Sequence, residues 1–187
     1  MWWVAAAGIG LLLFVVWRLG SISVGESQLQ IRDQQAAFPL ISGYNLQREE
    51  YQFPGDFGGQ LNLLLVPFQR QQQQDVNTWI PKAQALERSH PEVVYYELPT
   101  IYQLPRLSRT LINEGMRAGI PDQKARERTI TLYVDKEAFK SALAIETEQE
   151  IQLFLVDREG KILWREQGVF SEEKLQRLIE VIQRAIG

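Results

Sequence analysis

Leu61–Phe68 reads LNLLLVPF, and Gln69–Gln74 directly after it reads QRQQQQ. An unbroken apolar run of strand length suits a central strand covered on both faces; a half-exposed strand would alternate. Such a strand needs helices on both sides of its sheet. The chain supplies one at once. Asp75 is read as an N-cap, and Val76, Trp79, Ile80, Ala83 and Leu86 fall on one helical face. Pro81 inside that pattern implies a kink.

Working outward, Val93–Leu98 (VVYYEL) is a second strand. Pro105 opens a helix as its first residue, with Leu107, Leu111 and Ile112 directed inward and Gly119 as its stop. Thr129–Val134 is a third strand, and a short helix runs from Lys136 to Leu143. Ile151–Val156 and Lys161–Arg165 form a hairpin about Asp157-Arg158-Glu159-Gly160, with Gly160 free to take positive φ. Ser171 caps a last helix whose core face is Leu175, Leu178, Ile179, Ile182 and Ile186. Upstream, Phe38-Pro39 and Phe53-Pro54 bracket a hairpin around Tyr44 to Tyr51. This order predicts an α/β fold, a central mixed sheet flanked by helices of the thioredoxin-like kind.

Three segments divide the chain: a transmembrane anchor over 1–20, a polar stalk over 21–37 and the α/β domain over 38–187. Trp2 to Trp17 carries no charge and no Pro, and about 18 helical residues span roughly 27 Å, close to a hydrocarbon core. Trp2, Trp3 and Trp17 flank the run like interfacial aromatics, and Arg18 can snorkel to the headgroups. No basic n-region precedes it and no Ala-x-Ala follows, which favours a retained anchor over a cleaved signal. Arg18, Arg32 and Arg48 follow the segment, so the positive-inside rule places the domain on the cytoplasmic side. The expected partners are the lipid bilayer and subunits of a membrane protein complex.

Across 187 residues, 45% are hydrophobic, the formal charge is −3 and no basic tract occurs, which argues against a nucleic-acid partner. There is no cysteine, so disulfide exchange, thiolate catalysis and cysteine-based zinc sites are excluded. Where a thioredoxin-type domain carries its redox pair, this chain reads Phe68 and then the glutamine-rich tract.

Several stretches are similar to one family. FPLISGYNL, YQFPGDFGGQLNLLLV, QQDVNTW, TLYVDKEAF and FLVDREGKILWREQG resemble, in that order, segments of the mitochondrial ATP synthase assembly factors with a thioredoxin-like core. The most specific piece is Asp157, Gly160, Ile162, Trp164 and Gly168, spaced D-x-x-G-x-I-x-W-x-x-x-G. The resemblance runs from about Phe38 to Ile186. It implies assistance to assembly of the ATP synthase membrane sector, without enzymatic turnover. The N-terminus departs from the family, with an anchor in place of an Arg-rich presequence.

The tract Gln69, Arg70, Gln71, Gln72, Gln73 and Gln74 offers uncharged donors and acceptors to an extended client chain; a tolerated surface loop is the equal alternative. Trp164 is a further candidate for client binding, whereas Trp79 reads as core. His90 precedes Pro91 with no nucleophile elbow in the chain and reads as a helix end. Glu49-Glu50 and Glu146, Glu148 and Glu150 lack metal-ligand spacing and read as solvated surface. No catalytic residue, metal or cofactor is expected. The function expected is a membrane-anchored, redox-inactive assembly factor with the ATP synthase as favoured client. The alternative is a structural subunit of another respiratory or photosynthetic complex, and a thiol enzyme ranks last.

Overall fold

The structure is a computed structural model that describes residues 37–187. The expected anchor, its flanking Trp2, Trp3, Trp17 and Arg18, and the stalk up to residue 36 lie outside the described residues. Among the described residues no helix is long and apolar enough to cross a membrane.

Strand β3 (Leu61–Val66) is buried at every position. It pairs in parallel with β4 (Val93–Glu97) and antiparallel with β7 (Gln152–Asp157), so Leu63 lies between Tyr95 and Leu155. Strand β8 (Ile162–Gln167) completes the sheet as its edge, in the order β4-β3-β7-β8. The period of two sorts the strand's side chains cleanly. Leu61, Leu63 and Leu65 meet helix α1 (Gln73–Ser89) through Val76, Trp79, Ala83 and Leu86, and helix α5 (Glu172–Ile186) through Leu178 and Ile182. Leu64 and Val66 face an aromatic cluster that includes Phe53, Phe57, Tyr96 and Phe139. The lone polar residue of β3, Asn62, satisfies its amide on Gly59, donating to the carbonyl and accepting from the N–H, both at 3.0 Å.

A second four-stranded sheet runs β2 (Glu50–Phe53), β1 (Ile41–Asn45), β6 (Ile130–Val134), β5 (Thr100–Tyr102). Strand β4 leads into it: Leu98 N–H donates to the Leu65 carbonyl (2.7 Å), and one residue on, the Pro99 carbonyl accepts from Leu132 (2.9 Å). Helix α4 (Lys136–Ala142) starts under an Asp135 cap and contributes Phe139 to the aromatic side. In the β7–β8 turn, the Asp157 carboxylate accepts from the Glu159 and Lys161 N–H groups, and Gly160 takes φ +89°.

Two expectations are corrected. Helix α1 begins two residues before Asp75, which lies in its first turn with Gln72 at the cap position; the preceding 3-10 turn (Arg70–Gln72) already supplies the helical entry. The helix then continues through Pro81 to Ser89. Helix α2 (Arg106–Gly119) has no buried residue, and Leu107 and Leu111, expected inward, are 74% and 67% exposed. The inner face consists of the half-buried Ser108, Arg109, Ile112, Asn113 and Met116. Polar anchors settle that orientation: the Tyr133 hydroxyl bonds the Arg109 carbonyl (3.2 Å) and the Asn113 amide oxygen (2.8 Å). Strand β5 and helix α3 (Gln123–Arg128) were not anticipated.

Candidate functional site

The carboxyl ends of β3, β5 and β6 lie beside one another, the usual place for a site in a parallel-stranded sheet. Here that end is closed by the protein's own side chains. Chain leaving β3 tightens into the 3-10 turn, which points Gln72 inward and leaves it 2% exposed. The Gln72 Oε1 accepts from the N–H of Phe68 (2.7 Å) and of Gln69 (3.2 Å), and its Nε2 donates to the Glu148 carbonyl (2.7 Å). Gln69 Nε2 donates to the same carbonyl at 3.1 Å.

The Glu148 carboxylate is held as firmly. Lys136, at the first turn of α4 and 4% exposed, donates to one oxygen, and Lys140 lies 3.2 Å from the other. The Lys136 ammonium also lies 5.3 Å from the Phe68 ring centre and 4.6 Å from that of Tyr102, within cation–π range of both. Burial alone would raise the Glu148 pKa, but the two lysines outweigh it and hold the carboxyl below its ordinary value. Nearby, burial pushes the Glu97 carboxyl up, opposed by the Gln73 side chain.

The structure thus divides the candidate residues. Gln72 is an internal clamp, whereas Gln69, Arg70, Gln71, Gln73 and Gln74 are exposed. Gln71 turns to Gln69, and Gln73 to Asn77 at 3.2 Å. Trp164 does not join them: it sits midway along the edge strand β8, opposite Leu155, half-buried against the α1/α5 side of the core. Trp79 is fully buried, its Nε1 donating to the Gly168 carbonyl at 3.0 Å. His90 ends α1, its ring 2.9 Å from the neighbouring Ser89 hydroxyl. Glu148 departs from the solvated-surface expectation. Lys136, Lys140 and Tyr102 were not among the candidates; the one signal, for the lysines alone, was their i, i+4 spacing on a short helix that ends just before an acidic segment.

Beside the clamp, the loop after α4 and the end of the β7–β8 hairpin border an open groove of about 300 Å³. Ile145, Thr147, Gln152, Arg165 and Gln167 are among its walls. It opens next to β8, whose outer edge has no strand neighbour along Ile162–Gln167 among the described residues. Among them too, no cluster of His, Cys, Asp or Glu could hold a metal.

No protein-family model matches the chain, and comparison with curated proteins finds no match. Solved structures are similar in fold. A thiol:disulfide interchange protein from Bacteroides sp. superposes with TM-score 0.51 at 17% identity, covering 78% of this chain and 87% of that one. The exposed lipoprotein thioredoxin of Streptococcus pneumoniae gives 0.50 at 12%, covering 76% and 99%. BsSco, a member of the Sco family of cytochrome c oxidase assembly proteins, gives 0.52 at 10%, covering 82% and 95%. The described part of the chain therefore has a thioredoxin-like fold, and it contains no cysteine.

Proposed function

We propose that the chain is a membrane-anchored, redox-inactive thioredoxin-like assembly factor. It holds a polypeptide segment of a membrane protein complex, with the ATP synthase as favoured client. One observation carries the reading: the end of the sheet where thiol chemistry would sit holds Gln72, Lys136 and Glu148, bonded to one another and to backbone. A site saturated by its own partners has little left for turnover, so the scaffold serves binding. The place offered to a client is the edge of β8, which has no strand neighbour along Ile162–Gln167 among the described residues, with the adjoining groove. There an extended segment adds main-chain bonds and seats one side chain beside Arg165. The similarity of fold to a Sco-family assembly protein supports the role, as does the resemblance of the sequence segments to ATP synthase assembly factors. The apolar run Trp2–Trp17 supplies the tether, which raises effective concentration beside nascent membrane subunits on the cytoplasmic face.

The test is crosslinking and affinity purification of the tagged full chain from gently solubilised membranes. Transient capture of ATP synthase membrane-sector subunits is expected, and it should weaken when Trp164→Asp is introduced on β8. Stoichiometric presence in a mature complex would make the chain a structural subunit, and capture of no membrane-complex subunit would refute the proposal.

A further inference from the structure

Helix α2 presents an apolar face that nothing in the described residues covers. Leu107 and Leu111 project outward, with the small residues Gly115 and Ala118 continuing the same face. A Cβ built on Gly115 would meet nothing within 4 Å. Upstream along the chain, Tyr102 is 54% exposed. Isolated exposed leucines are ordinary, but here they share one stripe of one helix.

The charge around the stripe says what covers it. Segment 104–129 carries six basic and three acidic side chains; Lys124 and Arg128 pair with Glu87, and the Leu104 and Ile120 carbonyls hold Arg109 and Arg126, which leaves Arg106 and the Arg48–Glu114–Arg117 cluster beside the stripe. Its acids are already engaged. Glu114, which lies on the stripe seven residues after Leu107, is neutralised by Arg48 at 2.8 Å and Arg117 at 3.9 Å. Asp122 caps α3, and Glu127 accepts from Gln47 at 3.1 Å. Arg106, at the start of the helix, has no carboxylate partner among the described residues. Leucines on one side of a helix with arginines on its flank fit an anionic lipid surface: the leucines enter the acyl boundary and the guanidiniums remain at the phosphates. A second copy of this basic segment would meet repulsion.

We propose that α2 is an interfacial helix that lays the domain on an anionic bilayer surface through Leu107 and Leu111, with Arg106 and the Arg48–Glu114–Arg117 cluster at the headgroups. The inference uses the membrane-anchored reading only to place a bilayer nearby.

Because the chain has no cysteine, a single thiol can be placed at will. The full chain carrying Leu111→Cys, labelled with an environment-sensitive dye, is mixed with vesicles of phosphatidylcholine alone or with about 30 mol% phosphatidylserine. Blue-shifted emission is expected in the anionic vesicles and not in the neutral ones, and high salt should reverse it. Arg106→Gln should lower the ratio of docked to free dye about fivefold. The same dye on Arg158→Cys, in the β7–β8 turn, should not respond. Equal emission in both vesicles overturns the proposal. So does a shift that ignores lipid charge and grows with protein density, which would mean a second copy. Flotation with neutral vesicles reports the N-terminal anchor separately, so failure of the anchor and failure of the helix are distinguished.

Discussion

Replacing Gln72 by Ala should expose how much of the domain's stability the clamp supplies. The amide makes three hydrogen bonds, two of them to backbone N–H groups that nothing else satisfies. Leaving the buried Phe68 N–H without an acceptor costs about 1–3 kcal/mol, and the other two bonds are worth roughly 1 kcal/mol each. Freeing a long side chain returns up to about 2 kcal/mol of rotamer entropy. The net loss is about 2–3 kcal/mol, or roughly 5–10 °C in Tm for a domain of this size. Near-ultraviolet circular dichroism of the full chain in mild detergent follows the melt, since Trp79 and Trp164 report the core. The internal control is Gln71→Ala, exposed one residue away, which should stay within about 0.5 kcal/mol of the parent.

Gln72→Glu sharpens the test. Its carboxylate still accepts from Phe68 and Gln69, but it cannot donate to the Glu148 carbonyl that now lies 2.7 Å from the amide nitrogen. Protonation restores a donor, so the deficit of this variant should shrink as the pH falls toward 4. If Gln72→Ala melts with the parent, or Gln71→Ala loses as much, the clamp is decorative and the argument for a closed site fails.

The half-buried Glu148 and the buried Glu97 should respond to pH in opposite senses. Burial opposes the ionisation of Glu148, but Lys136 and Lys140 prevail and lower its pKa. Its contribution is therefore complete above about pH 4.5 and lost as the pH falls below that value. Glu148→Gln should lower the melting temperature at pH 7 and flatten the acid limb of the stability curve. Glu97 is raised by burial, so stability is complete below its ordinary value of 4.5 and lost as the pH rises through the folded value. Glu97→Gln should then stabilise the protein at pH 7 and leave it unchanged at pH 4; equal curves for parent and variant would contradict the assigned burial. Gly43→Ala should destabilise by about 1–3 kcal/mol in urea melts, because the added Cβ would lie 2.7 Å from both Ile130 Cγ2 and the Thr131 carbonyl.

The core strands were legible because burial on two faces leaves a mark in one dimension. LNLLLV has no polar position to spare, and its single Asn is paid for locally by Gly59 three residues away. The β7–β8 hairpin was equally open to reading, since Asp157 and Gly160 perform their turn chemistry within five residues. Helix α2 shows where periodicity stops. Its leucines do share a face, as expected, but amphipathicity states only that a helix has two sides. Which side meets the sheet was settled by the Tyr133 hydroxyl, a polar contact from a strand residue 14 positions past the helix's last residue. No window of local sequence contains that choice.

The glutamine tract carries the same lesson into the site. Composition shows five amides and one arginine, all able to meet a client or water on equal terms. Only the arrival of Glu148, 76 residues later, separates Gln72 from its neighbours by offering a carbonyl within reach of one side chain. The lysines that hold Glu148 come from a third stretch, so the closed site is built from residues that no spacing rule connects. The glutamines left outside it are exposed but contiguous with that rigid support. A client contact made there would therefore be felt through Gln72 at Glu148, and from the Glu148 loop at the wall of the adjoining groove. Binding at the β8 edge should accordingly slow amide exchange at Phe68 and Gln69, the two N–H groups that Gln72 accepts, while exchange at the far β7–β8 turn stays unchanged.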